Sequence, residues 1–280
     1  MCDRLTWVAR AVPTGPHVRH SGPVTVDELT RPVSRRTLGA ETLLVLGLSL
    51  GQSAVYAVVS LAAKLTAAGP LSKQTASLNN SQSARPYLDL TYQLVGIFFA
   101  LLPVLLAVHL LARDPGDPAR TLGVDLRRPG SDLARGAGLA ALIGLPGLAL
   151  FWAAAQLGVN ATLVPAALPH LWWAVPVLIL AAVQNAVLEE VIVVGYLVNR
   201  LWQLRWRLGA VVAASALLRG SYHLYQGFGA FLGNAVMGVV FSLFFLRTRR
   251  VAPLIVAHTL LDLVAFVGYA LLPKSWFGWL

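Results

Sequence analysis

The chain has 280 residues, of which 57% are hydrophobic and only 12% charged, with a formal net charge of +10. A soluble domain runs nearer half apolar and a quarter charged, so the composition excludes an ordinary soluble enzyme, and the mean hydropathy of +0.68 agrees. The single cysteine, Cys2, excludes a disulfide framework and a multi-cysteine zinc or iron–sulfur site.

Residues 1–38, with Pro13, Gly15, Pro16, Gly22, Pro23 and Pro32, read as a flexible cytoplasmic tail without a cleaved signal. A spanning helix needs roughly 20 mostly apolar residues. Three such segments follow at about 39–63, 91–112 and 134–158. They carry little polarity, and residues 39–165 are expected to be N-terminal transmembrane helices with a packing role. Four more segments follow at about 171–201, 208–226, 229–246 and 251–272, in a second part spanning 170–272. The expected fold is an all-α polytopic membrane protein with seven transmembrane helices, or eight if 171–201 breaks near Pro176. Trp172, Trp173, Trp276 and Trp279 fall at expected span ends, as interfacial aromatic residues do.

The connections alternate in charge. Arg113, Arg120, Arg127, Arg128 and Arg135 lie in one loop, Arg200, Arg205 and Arg207 in another, and Arg247, Arg249 and Arg250 in a short turn. The loops at 64–90, 159–170 and 226–229 between them are poorer in Lys and Arg. Basic residues stay on the cytoplasmic side, which predicts a multi-pass plasma-membrane protein with a cytoplasmic N-terminus. So apolar a chain makes the net positive charge a membrane-topology signal rather than a nucleic-acid surface.

The last four segments hold residues that hydrocarbon disfavours: Glu189, Glu190, Arg219, His223, His258 and Asp262, with Asn185 and Asn234. Each charged side chain at mid-helix costs about 2.5–3.5 kcal/mol, so such a set implies mutual pairing at one buried site. Arg219 and His223 are four apart, as are His258 and Asp262, so each pair shares a helix face. Glu189 and Glu190 point about 100° apart on a helix and are expected to play different parts. Gly229 and Gly233, just before Asn234, have the spacing that lets helices approach closely. Four roles fit these residue types: hydrolysis by carboxylate- and histidine-activated water, metal-assisted hydrolysis, a proton relay for transport, or a charge network that only fixes packing.

Three motifs in order resemble those of the CPBP intramembrane proteases, which include CAAX prenyl endopeptidases and bacteriocin-processing or self-immunity proteins. The family pattern is Glu-Glu-x-x-x-Arg, then Phe-x-x-x-His, then His-x-x-x-Asn or Asp. It is similar to Glu189-Glu190 through Val194, to Arg219 through His223, and to His258 through Asp262. Two positions depart from it: Val194 stands in place of arginine and Arg219 in place of phenylalanine. The guanidinium has moved to the second motif, from where an ion pair with one of the glutamates, preferably Glu190, is expected.

The resemblance implies an intramembrane endopeptidase acting on a membrane-associated protein or peptide, with no nucleic-acid partner. It implies Glu189, Glu190, His223, His258 and Asp262 as catalytic residues, with Glu189 as general base beside His223 and His258 facing the oxyanion. Arg219 and Asn234 would support them. A divalent metal such as zinc remains open, its candidate ligands being Glu189, His223 and His258. Two other readings stay open: a non-catalytic relative that binds a membrane partner, as an immunity protein does, and a proton-coupled transporter.

Overall fold

The computed structural model describes residues 33–169 and 171–273. Residues 1–32 of the expected tail, and Trp276 and Trp279, lie outside them. From Arg35 onward the chain is one compact, mostly helical unit. Its first helix, α1 (Arg35–Gly47), begins inside the stretch expected as tail.

Proline marks the start of several helices, at positions whose N–H would have no helical partner. It does so in α3 (Pro86–Ala100), α4 (Leu102–Leu111), α5 (Pro118–Leu122), α6 (Pro129–Gln156) and α11 (Ala252–Leu271). Helix α1 meets α2 (Leu50–Thr66) at a 52° bend, and α3 continues into α4 as one 26-residue span. Helix α7 (Ala174–Glu189) runs through a π-helical segment, Glu190–Tyr196, into α8 (Leu197–Gln203) as one 30-residue span. Pro176 sits in the first turn of α7 and does not break it.

Among the described residues, five helical spans are long and apolar enough to cross a membrane, six if the bent α1–α2 pair is one. They are α3–α4, α6, α7–α8, α10 (Phe228–Thr248) and α11. The segment expected at 208–226 is instead a 14-residue helix, α9 (Leu208–Ser221), followed by a single 3₁₀ turn at Leu224–Gln226. At 1.5 Å per residue α9 is about 21 Å long, short of the ~30 Å hydrocarbon core. The outer surface is apolar, with Leu43, Val55, Phe98, Leu105, Leu145 and Trp152 all exposed, as lipid-facing positions are. Trp172 is exposed, whereas Trp173 is 2% exposed and packs with Ala174 and Val177, so it is a core residue and not an interfacial one.

The loops gather at two ends. At one, Arg113 pairs with Glu41, Arg200 with Asp114, and Arg250 with both Asp125 and Asp132. Gly123, at φ 64°, ends α5 where a side chain would run into Arg250 Cα, so only glycine lets these loops close. At the other end, β1 (Thr75–Ser77) pairs in parallel with β2 (Thr162–Val164), and Asn160 bridges to Gly227. The arginine-rich and arginine-poor connections are thus segregated.

Candidate active site

Glu189 is the last residue of α7 and Glu190 the first of the π-helical segment. Segments of this kind recur at functional sites because the extra residue per turn re-aims side chains. The π segment is anchored in the main core, where Val191, Ile192, Val193 and Val194 are all buried. Helix α10 reaches α9 closely enough that a Cβ on Gly238 would lie 2.7 Å from Ala216 Cα. That approach presses α9, and Arg219 on it, toward the π segment.

Arg219, fully buried, binds both glutamates. Its Nη2 donates to both oxygens of Glu190 at 2.7 Å, and its Nη1 donates to Glu189 Oε2 at 3.2 Å. The guanidinium carbon lies 5.5 Å from the centre of the Phe241 ring. Val194, where the family pattern has arginine, is instead a core residue.

His258 comes from α11. Its Nδ1 is 2.6 Å from Glu190 Oε1, which leaves Nε2 facing Glu189 Oε2 at 3.9 Å and Asp262 Oδ1 at 3.7 Å. His223 lies just beyond the end of α9, in the turn. Gln226 Nε2 is 3.3 Å from its Nδ1. An amide nitrogen can only donate, which assigns the ring proton to Nε2. That nitrogen is buried without a hydrogen-bond partner among the described residues, 3.9 Å from Glu189 Oε2.

Glu189, Glu190, Arg219, His223, His258 and Asp262 therefore meet around one centre. Asn234 does not join them: its amide donates to Ala230 O on its own helix at 3.0 Å. Tyr222, which sequence reasoning passes over, donates its hydroxyl to Glu189 Oε2 at 2.7 Å. Its place beside His223 and three residues after Arg219 is the available signal. Asn185, one turn before Glu189, reaches Asp262 Oδ2 at 3.5 Å.

Two separations of 3.9 Å, from Glu189 Oε2 to each histidine Nε2, are too long for a hydrogen bond. Each is short enough for one water to bridge. The site thus offers a carboxylate acceptor and two imidazole nitrogens to a single small molecule. Glu189, Glu190 and His258 also form a buried group with ligand atoms within 4.8 Å of one another, which could hold a metal ion. Glu190 is the weakest of these donors, since Arg219 engages both its oxygens and a cation there would face a guanidinium.

Residues 170–264 match the family model described as type II CAAX prenyl endopeptidase Rce1-like. The stretch is about a third of the chain, and over it the sequence is similar to that family. The match begins ahead of α7 and ends inside α11, so it takes in the glutamate pair, both histidines and Asp262. No curated protein and no solved structure matches the chain. The buried Glu189, Glu190 and His258 group lies within the matched stretch.

Proposed function

We propose that the chain is an intramembrane endopeptidase in which Glu189 and His223 activate water to hydrolyse a peptide bond of a membrane-associated protein or peptide. The observation that carries this reading is the pair of 3.9 Å gaps between Glu189 Oε2 and the two histidine Nε2 atoms. In this scheme His223 Nε2–H donates to the water while Glu189 accepts its proton. The hydroxide adds to the scissile carbonyl carbon, and His258, as an imidazolium, donates from Nε2 to the oxyanion that forms. Its Nδ1–H meanwhile donates to Glu190, which holds the ring in place. Collapse of the tetrahedral intermediate breaks the C–N bond, and Glu189 returns the proton to the leaving amine.

In this reading Glu190 and Arg219 position, and do not react. Asp262 orients His258 across one helical turn from 3.7 Å. A divalent metal bound here would be held by Glu189 with His223 and His258, each after losing its Nε2 proton, and would supply Lewis-acid activation of the water.

The proposed orientation puts the arginine-rich end, with Arg200 and Arg250, in the cytoplasm of a plasma-membrane protein, with α9 and its following turn as one of seven crossings. The gathering of the loops at two ends of opposite character supports it. The deciding experiment is digestion of a membrane-protein extract by purified enzyme, with Glu189→Gln as control. New N-termini that appear with wild type and not with Glu189→Gln support the protease. Identical products from both would end it.

A further inference from the structure

Between α3 and α7 lies a cavity of about 360 Å³ whose lining is dominated by amides: Asn79, Gln82, Gln93, Gln184 and Asn185. That volume is in the range of ligand sites, but such sites are mostly apolar. Here the aliphatic lining is limited to Ile97 and Ala181.

Four of the amides have their nitrogens already engaged. Asn79 donates to Pro165 O at 2.8 Å, Gln82 to Asn80 O at 3.2 Å, Gln93 to Asn80 O at 2.9 Å, and Asn185 to Asp262 at 3.5 Å. Their amide oxygens, and both ends of Gln184, carry no hydrogen bond among the described residues. The cavity thus presents a row of unengaged acceptor oxygens, while Asn79, Gln82 and Asn185 each keep one amide N–H and Gln184 keeps both. Its rim is preorganised as well: buried Asp89 accepts from Gln82 N at 2.7 Å and from Ser81 Oγ at 2.8 Å, which pins the loop before α3.

One residue of the lining, Asn185, also touches the catalytic centre. Ala181, Asn185 and Glu189 are spaced by four and form one stripe of α7, about 12 Å from first to last. Asn185 contacts Asp262, and Asp262 faces His258.

We propose that this cavity is a substrate subsite that binds an extended, unlipidated stretch of peptide backbone and delivers it to Glu189. A backbone brings the N–H donors that the amide oxygens lack, and carbonyls that Gln184 can meet, whatever the side chains are. An isoprenoid chain brings no donor, and would leave the amides desolvated and unpaired. The proposal rests on the protease reading for the fate of the peptide, but its binding part stands alone.

Gly96 gives the test, because it lines the cavity and no atom lies within 4 Å of where its Cβ would be. A new side chain there therefore fits at the cavity wall without displacing the fold. Gly96→Cys in a Cys2→Ser background, purified in detergent, is reacted with a maleimide. The reaction is run with a short Ala/Ser peptide, its fully N-methylated counterpart, or farnesol. The plain peptide should slow modification severalfold, and the other two should not. No protection by the plain peptide, or protection by farnesol or the N-methylated peptide equal to it, overturns the subsite.

A second measurement separates this from the reaction. Gly96→Leu should raise KM severalfold for peptide cleavage. Adding Glu189→Gln to the Gly96→Cys protein should abolish cleavage yet keep protection of the introduced thiol. Protection without cleavage by wild type would uphold the subsite and overturn the protease. Cleavage untouched by Gly96→Leu, with no protection of the introduced thiol, would do the reverse.

Discussion

Arg219 and Glu190 form a fully buried ion pair in which one guanidinium nitrogen reaches both carboxylate oxygens at 2.7 Å. The second terminal nitrogen extends to Glu189, so one cation serves two acids from different positions on the facing helix. Removing it strands both. Arg219→Ala should destabilise the protein by about 3–5 kcal/mol, the usual cost of breaking a buried pair from one side. Arg219→Lys, which keeps the charge but loses the planar fork, should fall between. Thermal unfolding in detergent checks this, and an Arg219→Ala protein that melts with wild type would refute the pairing.

The two glutamates should separate in stability as well as in activity. Glu190→Gln removes the charge that faces Arg219 Nη2 and turns one of the two oxygens that serve Arg219 and His258 into a donor. Glu189→Gln leaves that pair intact. The Glu190 variant should therefore show the larger drop in Tm, while the Glu189 variant folds and fails to cleave. The opposite order of Tm would mean that the roles are exchanged.

Tyr222→Phe removes one hydroxyl from Glu189 Oε2 without changing the shape of the side chain. A hydrogen bond to a charged group contributes about 1.5–3 kcal/mol, so a measurable loss of stability is expected. Cleavage should slow too, since the carboxylate is no longer held by its 2.7 Å donor. Unchanged kcat and unchanged Tm together would remove Tyr222 from the site.

At the arginine-rich end, Asp125 is held below the usual carboxylate range by the hydrogen bond that Arg250 donates. A carboxylate with a lowered folded pKa binds protons more readily when unfolded, so its contribution is present above about pH 4. It is lost as the pH falls through the lower folded value. Tm measured down a pH series should drop on the acid side, and Asp125→Asn should flatten that drop. Equal slopes in the two proteins would show that the contact does not couple to folding.

Most of the helices are legible because a run of apolar residues in lipid admits few other structures. Glu189 and His258 are legible for the converse reason: an ionisable group in such a run needs a partner. The spacing of Arg219 and His223 points at the right neighbour even though α9 stops at Ser221. What stays hidden has physical causes. Leu224 and Tyr225 extend the apolar pattern, so the turn that carries His223 looks like more helix. Tyr222 is unexceptional in an apolar run, and only its contact with Glu189 marks it out. The strands Thr75–Ser77 and Thr162–Val164 are three residues each, too short for an alternating pattern to register. Trp173 looks interfacial by position, and its packing inward depends on neighbours that sequence does not place.

The inter-helix pair also constrains how the protein is made. Arg219 follows Glu190 by 29 residues, which at about 5–20 residues per second is a delay on the order of 1.5–6 s during synthesis. For that interval α7 stands with two acids and no counter-charge, a segment that hydrocarbon does not welcome. Neutralisation of these acids by Arg219 therefore waits on the synthesis of α9.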